Sequence, residues 1–243
     1  MKKIIVTGAS KGLGLAITKK LLVNDNYSVI AISRSCSEEL RKLLDSPQLA
    51  SRLKIYEFDF SVVDQIKEFS RDLVKENGVP YALVNNAALG FDGVLGTMHE
   101  SQIIELIKVN FTAPVLLTKY ISRSMLLNQK GRIINISSII ADTGFNGLSV
   151  YGGTKAALNG FTRSLSRELG KIGITVNSVA PGYMETAMTS SIDEAKLDKI
   201  KNRSPSGRLA SVDDVAATVS FLLSPEAESI NGVVYTVDAG STA

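Results

Sequence analysis

The first fourteen residues narrow the fold to a small set. Lys2–Val6 reads KKIIV, a short apolar run rich in β-branched residues, as expected of a strand buried on both faces. It leads straight into Thr7-Gly8-Ala9-Ser10-Lys11-Gly12-Leu13-Gly14. Leu13, Ala16, Ile17, Lys20 and Leu21 then fall on roughly one face of a helix. Strand, glycine-rich turn and helix form the context in which a nucleotide phosphate is held. The glycines permit a tight turn and close backbone approach, and the free N–H groups of a helix start favour an anion. The competing reading is a turn that merely uses glycine.

The same alternation continues along the chain. Strand patterns at Tyr27–Ile32, Leu53–Phe58, Tyr81–Val84, Arg132–Ile136, Ile174–Val179 and Val233–Val237 are interleaved with helical patterns. These lie near Glu38–Leu44, Val63–Glu76, His99–Asn128, Val150–Gly170 and Val212–Leu223, with Pro114 expected as a joint in the third. The alternation predicts an α/β fold: one Rossmann-type, doubly wound domain over residues 1–243. Its seven-stranded parallel sheet carries helices on both faces. Residues 181–210 break the rhythm with Pro181-Gly182, Pro205 and a polar stretch without a strand. Such an insert reads as a substrate lid.

Charge and composition exclude several classes. The 27 basic and 24 acidic side chains are well mixed and leave a net charge of +3, with no basic stripe for nucleic acid. No apolar run approaches the roughly 20 residues that span a membrane. The apolar segment of MKKIIVTGAS breaks at glycine too soon for a signal peptide. The lone Cys36 permits no internal disulfide and fits a cytoplasmic location. The lone His99 gives no histidine-rich metal site, so no metal is expected; it reads as a helix start or a solvent contact.

Tyr151 and Lys155 are four residues apart in a helical pattern, which puts a phenol and an amine on one face, one turn from each other. A nearby positive charge favours the phenolate and eases proton exchange from a group whose reference pKa is about 10. A hydroxyl such as Ser138, brought alongside, would hold a carbonyl oxygen at the tyrosine, with Tyr151 as general acid. Dinucleotide folds selective for NAD end their second strand in a carboxylate. Here that strand ends Ile32-Ser33-Arg34-Ser35, and the first carboxylate after it is Glu38. Arg34 and Lys11 would attract a 2′-phosphate and Ser33 could bond to it, so NADP(H) is the expected cofactor.

Several spaced motifs now agree in order, and over its whole length the chain resembles the short-chain dehydrogenase/reductase family. Thr7-Gly8-x-x-x-Gly12-x-Gly14 is similar to the family's cofactor loop, in which Ser10, Lys11 and Leu13 also lie. Asn85-Asn86-Ala87 resembles its strand-end motif, with Ala88 where glycine is usual. Asn110, Ser138, Tyr151 and Lys155 fall where the family places its catalytic tetrad. Ser137 is a neighbouring hydroxyl, but Ser138 has the family spacing to Tyr151. Within the family the likeness is to bacterial 3-oxoacyl-acyl-carrier-protein reductases, through VTGASKGLG, ITVNSVAPGYMETAM and SGRLASVDDVA.

The resemblance implies that Tyr151 protonates the substrate carbonyl and that Lys155 binds the nicotinamide ribose and lowers the tyrosine pKa. It implies that Ser138 holds the carbonyl oxygen and that Asn110 keeps a relay water; bracing a helix irregularity is the plainer role for Asn110. It further implies cofactor contacts from Asp59 and Phe60 at the adenine, from Asn86 and Ala87, and from Pro181, Gly182, Met184 and Thr186 near the nicotinamide. Asp59 also suits a helix cap. The implied activity is NADPH-dependent reduction of a 3-oxoacyl thioester, as in fatty acid biosynthesis, by a homotetramer. An acyl carrier protein is a candidate partner, docking through Lys130 and Lys171. The alternatives are a reductase of another alcohol, ketone or sugar, and a non-catalytic dinucleotide-binding regulator.

Overall fold

The computed structural model describes residues 1–184 and 194–243, with the backbone alone for 194–197. The strands are β1 (Lys2–Thr7), β2 (Tyr27–Ser33), β3 (Leu53–Glu57), β4 (Ala82–Asn85), β5 (Gly131–Ile136), β6 (Ile174–Pro181) and β7 (Val234–Val237). They form one parallel sheet in the order β3-β2-β1-β4-β5-β6-β7. The helices in chain order are α1 (Gly12–Leu22), α2 (Glu38–Lys42), α3 (Pro47–Ala50), α4 (Ile66–Asn77) and α5 (Glu100–Ile107). They continue with α6 (Ala113–Leu126), α7 (Ile140–Thr143), α8 (Ser149–Leu169), α9 (Glu194–Arg203) and α10 (Val212–Leu222).

Strand side chains alternate between the two faces, and each face has its own core. Ile4, Val6, Val29, Ala31, Val84, Ile134 and Val179 pack under α1 and α10, on Ile17, Leu21, Val215, Val219 and Leu222. Ile5, Ile30, Ile32, Leu83, Ile133 and Val176 pack under α4 and α6, on Ile66, Leu73, Leu117 and Ile121. Both faces are covered, which is why the central strands read as unbroken apolar runs.

A polar line crosses this second core. Asn85, Asn135 and Ser178 are register partners on β4, β5 and β6. Asn85 Nδ2 donates to Thr118 Oγ1 of α6 (2.9 Å) and to Asn135 Oδ1 (2.8 Å). Asn135 Nδ2 donates to Thr162 Oγ1 of α8 (2.8 Å), which lies 3.0 Å from Ser178 Oγ.

Two local expectations change. The joint expected at Pro114 is a π-helical turn, Lys108–Thr112, just before it; Pro114 sits in the first turn of α6, where a missing N–H does no harm. The lid region 181–210 contains a helix, α9, which its polar sequence did not announce. His99 is exposed and stands at the N-cap of α5, as the sequence suggests. Among the described residues no helix is long and apolar enough to cross a membrane.

Candidate active site

Both halves of the site lie at the C-terminal ends of the strands, where the order reverses between β1 and β4. A crevice at such a switch point is the usual ligand position in doubly wound sheets. Gly8 has φ +67°, and a Cβ there would meet Ala87 Cα at 2.9 Å. A Cβ on Gly14 would lie 2.1 Å from Gly8 O, so the helix start sits directly on the loop. Gly12 opens α1 with φ +53°. Lys11, at the N-cap, makes no side-chain cap, and no acidic residue occupies the first turn. The N–H groups there remain available to a phosphate.

Thr7 fastens this loop to the end of β4. Its Oγ1 accepts from the main-chain N–H groups of Asn86 and Ala87, both at 2.9 Å. Asn86 Nδ2 donates to Thr7 O (2.9 Å) and Gly8 O (3.3 Å). Asn86 and Ala87 therefore hold the loop in shape with these donors. The Ser10 carbonyl accepts from the Ser37 hydroxyl, and Leu13 is partly buried against the first core.

Lys11 and Arg34 are both exposed, and neither has an ion-pair partner among the described residues. Ser33 departs from expectation. It is 4% exposed, and its hydroxyl donates to Ser35 O at 3.0 Å, because β2 is covered on both faces up to its last residue. Arg34 is thus the first side chain of that segment to reach solvent. Asp59 is exposed and accepts from Ser61 N (2.9 Å); it caps a turn ahead of α4 and not the helix itself. The Phe60 ring is turned into the second core beside Phe58, so an adenine contact through that ring is not what the packing provides.

The reacting half stands on β5, α7 and α8. The Ser138 hydroxyl accepts from Ile140 N (3.2 Å) and stands beside the Tyr151 phenol, favouring its ionisation. Ser137 faces away and donates to Lys155 O at 3.1 Å, so of the two hydroxyls Ser138 meets Tyr151. Lys155 Nζ donates to Ile136 O (2.8 Å) and lies 5.7 Å from the Tyr151 ring centroid. Burial lowers the Lys155 pKa to about 8. Burial also pushes the Tyr151 phenol up to about 12, against the opposing influence of Ser138. Burial therefore works against the lowering of the tyrosine pKa that the sequence suggests. At 5.7 Å the ammonium lies over the ring, and removing the phenol from water is the larger effect.

Asn110 lies in the π-helical turn and is fully buried. Its Oδ1 accepts from Leu89 N (2.8 Å), and its Nδ2 donates to Leu89 O (2.9 Å) and Thr154 Oγ1 (3.3 Å). Thr154 Oγ1 in turn donates to Tyr151 O at 2.7 Å. Asn110 thus braces the segment after β4 against the turn of α8 that carries the tyrosine.

β6 closes the site. Pro181 O accepts from Ile139 N (3.0 Å), and Gly182 N donates to Val237 O (2.9 Å). A Cβ on Gly182 would stand 2.7 Å from Asp238 Cβ. Met184 packs on the first core; Thr186, Met188 and Ile192 lie outside the described residues. At the mouth, Gly93 N donates to Gly147 O (3.0 Å), and Phe145 stacks edge-on to Tyr183 at 5.8 Å. Val94, Leu95 and Phe145 give it an exposed apolar rim.

Lys130 and Lys171 are placed differently from expectation. They precede the first residues of β5 and β6, and the site is beyond the last. A six-residue strand spans about 20 Å, so both lysines sit at the opposite end of the sheet from this chain's own Tyr151.

A family model described as short chain dehydrogenase matches residues 2–197. The chain belongs to the short-chain dehydrogenase family. It is 35% identical over 239 residues to a 3-oxoacyl-[acyl-carrier-protein] reductase of Vibrio harveyi, covering 98% of this chain and 96% of that one. It is 33% identical over 239 residues, with the same coverage, to nodulation protein G of a Rhizobium species. Among solved structures, ElxO with NADP bound superposes with a TM-score of 0.87 at 30% identity, over 99% of this chain and 98% of that one. A tyrosine-to-phenylalanine variant of ElxO with NADPH bound matches equally well, at 31% identity.

This short-chain dehydrogenase also uses two threonines whose bonding the sequence does not announce. Thr7 bonds to both ends of the strand switch, and Thr154 links Asn110 to Tyr151. Thr154 carried a usable signal, since it sits three residues after the tyrosine on the same helix. Thr7 opens the Thr7-Gly8-x-x-x-Gly12-x-Gly14 motif, which marked its place but not its bonds to Asn86 and Ala87.

Proposed function

We propose that the protein is an NADPH-dependent carbonyl reductase whose substrate is a 3-oxoacyl thioester. One observation carries the reading: the Tyr151 phenol stands beside Ser138, with Lys155 one turn on, at the strand ends that face the glycine loop. The residues present fit the cofactor. Bare N–H groups and Gly8, Gly12 and Gly14 suit its pyrophosphate, and Lys11 and Arg34 suit its 2′-phosphate. Bound NADPH would supply the hydride.

Ser138 donates a hydrogen bond to the substrate carbonyl oxygen and holds it at Tyr151. Tyr151 gives its proton to that oxygen as the alkoxide develops. A phenol with a pKa near 12 keeps its proton at neutral pH and so is present in the acid form. Lys155 would bind the ribose hydroxyls of the cofactor and stabilise the phenolate left behind. Asn110 sets the position of α8 relative to the segment after β4. Residues 1–243 act as one domain, with about 181–210 as its lid. The apolar rim of Val94, Leu95 and Phe145 suits an acyl chain.

A second reading, reduction of a free ketone, is favoured by the distance of Lys130 and Lys171 from the mouth. Carrier docking through those lysines needs a second copy of the chain to present them. The exposed small residues Ala156, Gly160 and Ser164 along α8 suit such close packing, and family likeness suggests a homotetramer.

The test is NADPH oxidation by the purified protein with carrier-linked acetoacetate, acetoacetyl-CoA, and simple ketones and sugars. Tyr151→Phe should lower turnover by roughly 10²–10⁴-fold, with NADPH affinity almost unchanged. Retention of more than about a tenth of the activity would remove Tyr151 as the acid. Reduction of ketones but of neither thioester would leave the second reading.

A further inference from the structure

The segment Ser33–Ser37, which presents Arg34, is fixed by five bonds of different kinds. Ser33 O accepts from Phe58 N (2.9 Å). The Ser33 hydroxyl closes a turn onto Ser35 O (3.0 Å). Ser37 binds the glycine loop through Ser10 O, and its Oγ caps α2 by accepting from Leu40 N at 3.1 Å. The fifth bond comes from a side chain on another strand. Cys36 N donates to Glu57 Oε1 at 3.1 Å, and Glu57 is the register partner of Ser33 at the end of β3.

A carboxylate beside a site for a 2′-phosphate would be expected to repel it. This one instead accepts a main-chain N–H two residues beyond Arg34, in a charge-assisted bond. No other side chain outside the segment accepts from its N–H groups among the described residues. We propose that Glu57 is a positioning residue for cofactor choice: by holding Cys36 it presents the Arg34 guanidinium to the 2′-phosphate of NADPH.

The inference rests on the NADPH reading above. It goes beyond it by assigning selectivity to a carboxylate on β3, and it accounts for a charge that would otherwise work against the cofactor. Glu57 stands clear of Tyr151, Ser138 and Lys155, so its effect belongs to binding. Positioning should matter only for a ligand that carries the 2′-phosphate. A loop free to move must be ordered at the moment of binding, and the loss falls on that contact alone.

The experiment is calorimetric titration of wild type, Glu57→Ala and Glu57→Gln with NADPH, NADH and adenosine 2′,5′-bisphosphate. Glu57→Ala should weaken NADPH and the bisphosphate by roughly 3- to 10-fold and leave NADH within about twofold. Glu57→Gln keeps an acceptor and should restore most of the difference. In an Arg34→Ala background, Glu57→Ala should have no further effect, since the pair acts through one contact. Hydrogen exchange at the Cys36 amide should accelerate in Glu57→Ala and stay slow in Glu57→Gln.

Tighter NADPH binding in both variants would overturn the proposal and make Glu57 a simple repulsive charge. Equal weakening of NADPH and NADH would also overturn it and make Glu57 structural. If the wild type binds NADPH no better than NADH, the cofactor reading itself fails. A selective wild type with an indifferent Glu57→Ala sinks only the positioning role.

Discussion

Helix α10 starts with Ser211, whose Oγ accepts from Asp214 N (3.0 Å) while Asp214 Oδ2 accepts from Ser211 N (2.9 Å). Asp213 adds a second acidic side chain to that first turn. Helix α1 packs against α10 on the same face of the sheet, yet it starts with a lysine, no side-chain cap and no acid in its first turn. One helix end is satisfied from within the chain. The other keeps its N–H groups for something the chain does not contain. A helix end without a cap gives up about 1 kcal/mol of local stability, and the site at α1 is where that loss has a use.

The largest break in this contrast should come from Gly14→Ala. Its Cβ would collide with Gly8 O and displace the loop, lowering NADPH affinity by roughly 10- to 100-fold by titration. Binding within twofold of wild type would mean that the bare helix end is not the phosphate site. Lys11→Asp sharpens the contrast from the other side by giving α1 the cap that α10 has. Thermal unfolding of the ligand-free protein should show a gain of about 0.5–1 kcal/mol, with NADPH weakened roughly tenfold. A variant that binds NADPH as before would release Lys11 from the cofactor role.

Ser211→Ala should do the reverse at α10. A stability loss of about 1 kcal/mol is expected with NADPH affinity unchanged, and a change in affinity would show that the two helix starts are coupled. The smallest effect is one of pH. Arg208, followed by the main chain and hydroxyl of Ser211, lowers the Asp214 pKa from its ordinary 3.8 to about 2. A depressed carboxylate contributes stability that is present above the unfolded value and lost as pH falls through the folded one. Melting curves from pH 5 to pH 2 should therefore show the advantage of wild type over Asp214→Asn shrinking between about pH 4 and pH 2. An advantage that persists at pH 2 would contradict the assignment.

Features set by local geometry were legible in the sequence. The β1 turn into α1 needs only its glycines, and Tyr151 and Lys155 share a helix face through their spacing. The alternation that orders the sheet was equally plain. The burial of Ser33 was not legible because the strand pattern does not reveal that β2 stays covered to its last residue. The burial of the Phe60 ring was not legible because the core under α4 that receives it is assembled by folding. The Glu57 bond depends on the register of β3 against β2. The remoteness of Lys130 and Lys171 was within reach of the sequence: both precede their strands, and the parallel sheet expected from the alternation puts the ligand crevice at the other ends. The shift at Tyr151 reflects burial, a property of the assembled site.

The polar line through Asn85, Asn135, Thr162 and Ser178 acts as an alignment key for the sheet. Apolar strands alone would tolerate sliding, since one branched side chain resembles the next. A one-residue slip of β5 along β4 would turn Asn135 into the opposite core and strand Asn85 without it. Each stranded buried amide costs about 1–3 kcal/mol, so misaligned forms are penalised at several points together. The same key keeps the ends of neighbouring strands level. Thr7 and Asn86 end one pair and Ser138 follows the next. The cofactor loop and the proton donor are thus held at one height by residues that touch neither.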